Sequence, residues 1–416
     1  MMKRILILGA GTSGTMMANH LSHEFKNKKD EWEIVIIDEN EIHYYQPGFL
    51  FLPFDIYTPD DIQKPIREFL PDGVKFFCEK IGKILPAEKK VITENGDTFH
   101  YDILIIATGT SISPEETEGM LGEEWRKNIF DFYSFDGALA LRDKLREWEG
   151  GNLVVHITEM PIKCPVAPLE FAFLADSYFK HKNIRDRVNI TFVTPMDGVF
   201  TKPKATHALE HLLVEKNIHV IPDFAIERID NENKKIIDYV GKEVPFDLLV
   251  TVPTNMGHAM IGRSGLGDDL NYVATHKATL QSKSDPNIFV IGDATNIPAS
   301  KAGSVAHFEA EILTENILHY IKGEPLREEF DGHANCFVET GNGKAILLDF
   351  NYTHEPVEGT FPFPGVGPLR LLKESRMNHM GKLAFRWIYW NMLLKGNHIP
   401  FISTNMSEAG KHFDNV

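Results

Sequence analysis

Cysteine is scarce in this chain of 416 residues, which contains only Cys78, Cys164 and Cys336. Three cysteines are too few for the disulfide scaffold of a small secreted protein. They form no Cys-x-x-Cys pair either, so no structural zinc site is expected. Cys78 falls in an apolar strand pattern and is predicted to be a small packed side chain, and the same interpretation is the default for Cys336.

Long hydrophobic runs are also missing. No stretch of about 18 to 20 uncharged apolar residues occurs, so no single spanning helix is expected. The apolar run that begins at Ile5 is broken at Gly9, too soon for a secretory signal peptide. Basic residues are outnumbered, with 43 against 59 acidic residues and a net charge of −16. This balance disfavours broad nucleic-acid binding and favours solubility.

The N-terminal segment carries a dinucleotide-binding pattern. Residues 3–8 are predicted to form a buried strand, and Gly9, Gly11 and Gly14 follow in a G-x-G-x-x-G turn before a helical pattern. A second predicted strand ends at Asp38, which lies 24 residues after Gly14, near the spacing that suits a ribose contact. The glycines let the backbone approach a pyrophosphate at the helix N-terminus. We therefore predict a dinucleotide site, and the alternative is a glycine turn used only for packing.

Two later strands end in residues that suit the same ligand. One predicted strand ends in Ala107-Thr108-Gly109, where a chain leaves a sheet beside a bound dinucleotide. Another ends in Gly292-Asp293, whose carboxylate would accept a hydrogen bond from a sugar-alcohol hydroxyl. Lys301 follows, and its ammonium would complement the charge of a reduced ring. The alternative for Lys301 is a solvated turn lysine.

A second strand–turn–helix unit begins near residue 152 but lacks the glycine turn. In its place stands the segment 162–170, which carries Cys164 and, six residues later, Glu170. The next predicted strand, over 189–195, ends without an acidic residue to hold a ribose. Both halves of the dinucleotide pattern are therefore missing here. We predict that a redox thiol has replaced a nicotinamide site.

The C-terminal tail combines aromatic, apolar and basic residues. Between 369 and 395 Glu374 is the only acidic residue, and a proline-stiffened aromatic turn precedes this stretch at 361–365. Such a basic and aromatic cluster on an acidic protein favours one or two amphipathic helices on an anionic membrane. The alternatives are a dimer contact or a core helix.

These features together resemble a known group of proteins. The glycine turn, Ala107-Thr108-Gly109 and Gly292-Asp293 resemble the three FAD signatures of flavoproteins with two dinucleotide-binding domains. Within that group, the Cys-Pro-x-Ala-Pro-x-Glu segment at 164–170, Cys336-Phe337 and the tail resemble sulfide:quinone oxidoreductase. The resemblance covers essentially the whole chain.

The resemblance implies an α/β fold with two Rossmann-like domains, bound FAD and a C-terminal amphipathic membrane-binding region. The FAD-binding domain would comprise residues 1–110 and 241–330. The second Rossmann-like domain, without the NAD glycine turn, would span 111–240, and a quinone and membrane region would span 331–416. The resemblance implies a peripheral membrane protein, and whether it forms a homo-oligomer stays an open question.

The resemblance also implies the redox groups. Cys164 and Cys336 would form the redox pair beside the flavin, and Glu170 would carry protons. A disulfide between the cysteines requires roughly 4.4 to 6.8 Å between their Cα atoms. Many members have a third cysteine before the second unit, but residues 111–148 contain none and Cys78 lies too early to replace it.

Cofactor and quinone contacts follow in the same way. Asp293 would hold the ribitol chain of FAD, and Lys301 would lie near the isoalloxazine ring and the quinone. Weaker candidates for the quinone pocket are Phe337, Phe361 and Phe363. The implied activity is oxidation of hydrogen sulfide to polysulfide or elemental sulfur, with electrons passed through FAD to a membrane quinone.

Three other functions stay open. A type-two NADH:quinone oxidoreductase would share FAD, quinone and tail, but it requires the glycine turn that residues 160–167 lack. The flavin subunit of a flavocytochrome c sulfide dehydrogenase would share the cysteine pair, but it would carry an export signal and bind a cytochrome. A flavoprotein that only binds a partner or senses redox state would be reduced by sulfide without turning over an acceptor.

Overall fold

The computed structural model describes residues 2–28 and 30–413. In chain order the strands are β1 (Lys3–Leu8), β2 (Trp32–Asp38), β3 (Ile42–Tyr44), β4 (Gln63–Pro65), β5 (Lys75–Cys78), β6 (Ile81–Leu85), β7 (Lys90–Thr93), β8 (Thr98–His100), β9 (Ile103–Ile106), β10 (Thr110–Ser113), β11 (Ile129–Phe130), β12 (Gly151–Ile157), β13 (Val188–Val193), β14 (Ile218–Ile221), β15 (Ile226–Asp230), β16 (Lys235–Asp238), β17 (Glu243–Pro245), β18 (Leu248–Val252), β19 (Thr254–Gly257), β20 (Ile288–Val290), β21 (Ala334–Gly341), β22 (Lys344–Phe350), β23 (Glu358–Phe363), β24 (Gly367–Leu371) and β25 (Lys411–His412). The helices are α1 (Thr12–Glu24), α2 (Phe135–Glu147), α3 (Ala167–His181), α4 (Pro203–Glu215), α5 (Ala259–Arg263), α6 (Gly303–Lys322) and α7 (Arg376–Asn391).

The first sheet has the strand order β20-β9-β1-β2-β5, and all its pairs are parallel. β1 is apolar on both faces because each face is covered, as parallel sheets require. Ile5 and Ile7 join the core that contains α1 residues such as Met17. Leu6 and Leu8 pack in a separate core with residues of the β6–β8 hairpin sheet and α5. The carboxyl ends of β1, β9 and β20 therefore open onto one edge.

The second sheet has the order β11-β18-β12-β13-β14 and is also parallel. α3 packs against β12 and β13 and places the turn after β12 at the carboxyl edge of this sheet. β18 lies beyond residue 240 yet forms part of this sheet, because it pairs with β12. The predicted division at residues 110, 240 and 330 stays a prediction.

A third sheet, in the order β21-β22-β24-β23-β25, brings the last fifth of the chain against the other two units. β21 packs on α3, and α7 packs on β22. The predicted helical stretch from residue 369 begins instead as strand β24, because Leu369 pairs with Phe361 across a tight hairpin. The helix begins only after Ser375, whose hydroxyl caps it by accepting from the N–H of Asn378 at 3.1 Å.

The predicted α/β class is confirmed by the two parallel sheets. Within residues 2–28 and 30–413, no helix combines the length and the apolar character that crossing a membrane needs.

Candidate active site

One cavity of about 570 Å³ lies where the three sheets meet. It brings together distant parts of the sequence, because the turns after β1, β9, β12 and β20 and residues of β21 and α7 all line it. The predicted site residues on its wall are Gly9, Gly11, Asp38, Ala107, Thr108, Gly109, Cys164, Glu170, Asp293, Lys301, Cys336, Phe337 and Phe361.

Three predicted residues lie behind or outside this wall. Gly14 is required for packing, since a Cβ there would lie 1.8 Å from the carbonyl oxygen of Gly9. Gly292 has a φ of +71°, and its N–H donates to the buried Glu309 carboxylate at 2.6 Å. Phe363 is exposed and packs on Phe401 with 5.1 Å between ring centroids, so it does not line the cavity. Its prediction as part of a quinone pocket is therefore not supported by its position.

The glycine turn after β1 fits a dinucleotide. Gly9 has a φ of +94°, and a Cβ on Gly11 would meet no atom within 4 Å, so the backbone is open to the cavity. No side chain caps the N-terminus of α1 after Gly11, which leaves its first N–H groups available to a phosphate. The Asp38 carboxylate accepts from the N–H of Ala10 at 2.7 Å and fixes the turn. The buried Thr108 hydroxyl has no partner among the described residues and supplies a further polar contact.

The loop that carries Asp293 is held by Lys301. The Lys301 ammonium donates to the carbonyl oxygens of Asp293 at 2.8 Å and Thr295 at 2.7 Å, and it lies 4.1 Å from the ring centroid of Tyr272. Burial lowers the pKa of Lys301, and the Asp293 carboxylate partly opposes this shift. Burial raises the pKa of Asp293. Lys301 therefore shapes the loop as well as facing the cavity, a role that the sequence pattern does not reveal.

The turn after β12 presents a thiol, and its backbone groups are paired inside the protein. Cys164 has a φ of +47°, and its N–H donates to the carbonyl oxygen of Lys301 at 2.7 Å. The Cys164 carbonyl accepts from the Tyr133 hydroxyl at 3.2 Å, and the N–H of Lys163 donates to Asn255 at 3.1 Å. These groups are not available to a phosphate, in contrast to the first turn.

Cys164 and Cys336 are both free thiols on the cavity wall. Burial raises the pKa of each thiol, to about 12 for Cys336, and the Glu170 carboxylate raises both further, while Lys382 opposes the shift. Cys336 also raises the pKa of Cys164 through its charge, so the two thiols interact. The disulfide between them stays a prediction. Cys78 lies exposed at the end of β5, so the prediction that it is packed was wrong.

Glu170 forms a buried ion pair with Lys382 of α7, a residue that sequence reasoning assigned to a membrane-facing cluster. The Lys382 ammonium also donates to the carbonyl oxygen of Phe337 at 3.1 Å. Burial alone lowers the pKa of Lys382, but the carboxylates of Glu170 and Glu339 outweigh burial and leave it raised. The helical spacing of the tail could have indicated this inward role. Asn378, Lys382 and Tyr389 recur at spacings of four and seven residues and therefore lie on one face of α7.

Tyr389 attaches α7 to the glycine turn. Its hydroxyl lies 2.7 Å from the Thr12 hydroxyl and 2.6 Å from His43 Nε2, and His43 Nδ1 lies 3.2 Å from the carbonyl oxygen of Ala10. Burial lowers the pKa of His43 to about 4, so the imidazole is neutral near pH 7. Sequence reasoning gave no role to Thr12 or His43, and it placed Tyr389 in the aromatic tail predicted to bind a membrane.

The outer side of the C-terminal region is apolar. Large hydrophobic side chains are exposed on α7, at the β23–β24 hairpin and in the segment after α7, namely Phe363, Val366, Met377, Met380, Trp387 and Phe401. Scattered exposed apolar residues are normal, and these six are concentrated in the C-terminal part of the chain.

Comparisons with known proteins give the same picture. A family model described as pyridine nucleotide-disulphide oxidoreductase matches residues 3–310. The mitochondrial sulfide:quinone oxidoreductase of Dictyostelium discoideum is 29% identical over 399 residues, covering 94% of this chain and 86% of that protein. The sulfide-quinone reductase of Aquifex aeolicus is 25% identical over 431 residues, covering 98% and 95%. The X-ray structure of the sulfide:quinone oxidoreductase from Aquifex aeolicus matches with a TM-score of 0.78 at 24% identity, covering 95% of this chain and 92% of that one.

The predicted resemblance to sulfide:quinone oxidoreductases is thereby confirmed. The family match covers most of the chain, and the proteins of this family depend on FAD, a cofactor that the glycine turn also fits. The chain belongs to the pyridine nucleotide-disulphide oxidoreductase family and is a flavin-dependent oxidoreductase.

Proposed function

We propose that this protein oxidises hydrogen sulfide through the thiols of Cys164 and Cys336 and passes the electrons through FAD to a membrane quinone. The observation that carries the proposal is the shared cavity, which is lined by both thiols and by the uncapped dinucleotide turn. The names of the similar proteins support the same substrates.

The residues that would hold FAD are the glycine turn of β1, Asp38, Thr108 and Asp293. When bound, FAD would supply a two-electron carrier between the cysteine sulfurs and a quinone. Lys301 holds the Asp293 loop in place through its two carbonyl contacts.

The chemistry of the chain itself is thiol–disulfide exchange. With the cysteines paired, the sulfur of HS⁻ bonds to one cysteine sulfur, the disulfide bond breaks, and the other cysteine leaves as a thiolate. The products are a cysteine persulfide and a thiolate, so atoms and charge balance. Over a full cycle HS⁻, one proton and a quinone give zero-valent sulfur and a hydroquinone. Sulfur leaves as polysulfide or elemental sulfur.

Lys382 sets the charge of this pocket. A buried thiolate is disfavoured, as the raised pKa values of both cysteines indicate. Glu170 raises those pKa values further, and the Lys382 ammonium both neutralises Glu170 and lowers the pKa of the cysteines. The ion pair therefore keeps a carboxylate for proton transfer beside the thiols without an unpaired negative charge.

The quinone would enter through the C-terminal region. Phe337 and Phe361 line the cavity at its apolar end, with Phe385 and Ile388 of α7. The exposed apolar surface of α7 and the neighbouring hairpin would dock on the membrane, which makes the protein peripheral. Phe363 belongs with this docking surface.

An anaerobic titration of the purified protein with sulfide, followed by a soluble quinone, tests the proposal. We expect sulfide to bleach the flavin absorbance and quinone to restore it. Cys164→Ser and Cys336→Ser should each abolish sulfide-dependent quinone reduction while FAD stays bound. Cys78→Ser is the matched control, because that thiol lies away from the cavity wall.

NADH separates this function from the NADH:quinone alternative. Because the second turn has its Cys164 and Lys163 backbone groups paired within the protein, NADH should not bleach the flavin. Retained sulfide turnover in both cysteine variants, or rapid bleaching by NADH, would contradict the proposal.

A further inference from the structure

We infer that Glu339 and His379 form a proton relay that supplies the Glu170–Lys382 pair in the cavity from the protein surface. This inference deepens the proposed function and rests on it. His379 would be the entry point, Glu339 the buried carrier, and Lys382 with Glu170 the final donors beside the reacting groups.

Two charged pairs are adjacent between the surface and the cavity, and the backbone N–H of Glu339 connects them. His379 on α7 retains 22% exposure, and its Nδ1 lies 2.9 Å from each carboxylate oxygen of Glu339 on β21. Glu339 is buried, and its backbone N–H donates to Glu170 at 2.6 Å. Glu170 is ion-paired with Lys382, and both line the cavity with the two thiols. The second carboxylate oxygen of Glu170 has no partner among the described residues.

The proposed reaction takes up protons at the cavity. Sulfide oxidation from HS⁻ releases one proton with two electrons, and quinone reduction consumes two protons with two electrons. Each turnover therefore takes one net proton from solution. Glu170 is fully buried, so this proton needs carriers between the cavity and water.

The charges around Glu339 favour exchange of a proton. Burial raises the pKa of Glu339, Lys382 and His379 lower it through their charges, and Glu170 raises it. The other charged pair near this end of β21 is Lys344 with Glu374, at 2.6 Å, and Glu374 also accepts from Thr340 at 2.7 Å. Lys382 contacts Glu170 and lies one helical turn from His379, and the charges of Glu170 and Glu339 both act on its ammonium.

The test compares His379→Ala and Glu339→Gln with the wild-type holoenzyme. Three rates are measured: flavin bleaching by sulfide without acceptor, quinone-dependent turnover, and proton uptake followed with a pH-indicator dye in weakly buffered solution. We expect the ratio of turnover to bleaching to fall about tenfold in each variant near pH 8, below the full general-acid effect because water can partly substitute. Proton uptake should slow in parallel.

Two further readouts separate a relay from a structural role. Added imidazole should restore turnover of His379→Ala, and the deficit should shrink as pH falls because free protons then become more abundant. His211→Ala is the matched control, since His211 pairs with Glu215 on the exposed face of α4, away from the cavity.

The outcomes distinguish the two proposals. A wild-type protein that does not reduce quinone with sulfide overturns the proposed function and the relay with it. An active wild type overturns the relay alone if His379→Ala and Glu339→Gln keep the wild-type ratio of turnover to bleaching at every pH. Loss of turnover in His379→Ala without imidazole rescue, together with an unaffected Glu339→Gln, also overturns the relay.

Discussion

Replacing Lys382 by Met tests whether the buried ion pair is structurally required. The Glu170 side chain is 1% exposed and that of Lys382 is 11% exposed, so the substitution leaves a buried carboxylate without its counter-charge. Removing one partner of such a pair costs about 3–5 kcal/mol, and Met retains most of the apolar stem of Lys. We take the lower figure of about 3 kcal/mol, since the Lys382 ammonium keeps some access to water.

Thermal unfolding of the FAD-loaded protein, followed by flavin and tryptophan fluorescence, measures this cost. At about 2–4 °C per kcal/mol for a large domain, Tm should fall by roughly 6–12 °C. Lys382→Met combined with Glu170→Gln should recover at least half of the loss, because the double variant has no unpaired charge. Lys75→Met is the control: Lys75 pairs with Glu33 at 2.8 Å but is 57% exposed, and such a pair is worth less than about 1 kcal/mol. An unchanged Tm in Lys382→Met, or no recovery in the double variant, would refute the reasoning.

Three other perturbations address separate parts of the structure. Burial raises the pKa of Glu309 to about 8 from an ordinary 4.5. Its contribution to stability is therefore full below about pH 4.5 and is lost as pH rises through about 8. Glu309→Gln should raise Tm relative to wild type at about pH 8.5 but not at about pH 5. Tyr389→Phe removes the hydroxyl between Thr12 and His43. It should lower the free energy of unfolding by about 1–2 kcal/mol, measured through Tm, and it should speed the loss of FAD, measured by filtration of released flavin. Trp387→Glu should weaken sedimentation with anionic vesicles at least several-fold, whereas Val214→Glu, at an exposed apolar site on α4, should not.

The nucleotide half of the site could be predicted from the sequence because its determinants are local. A strand, a glycine turn and a helix N-terminus are consecutive in the chain, and the backbone conformation at Gly9 follows from those residues alone. Asp38 was found by spacing, and its contact with Ala10 lies within the same strand–turn–helix unit.

The charge environment of the thiols could not be predicted in this way. Lys382 lies 212 residues from Glu170, and only the packing of α7 on the third sheet brings them together. The sequence places Lys382 among other basic residues of the tail, so composition favours a membrane-facing role for all of them. The same limit applies to Tyr389, whose partner Thr12 lies at the other end of the chain.

The two parallel sheets repeat one arrangement with opposite chemistry at the turn. After β1, the backbone is open, α1 begins without a side-chain cap, and the exposed N–H groups suit a phosphate. After β12, the N–H of Cys164 donates to the carbonyl oxygen of Lys301, and the ammonium of the same residue donates to the carbonyl oxygen of Asp293. The same lysine therefore connects the Cys164 turn to the loop expected to bind the flavin sugar. The thiol is thus placed relative to the cofactor site by a contact that a nicotinamide-binding turn would need to break.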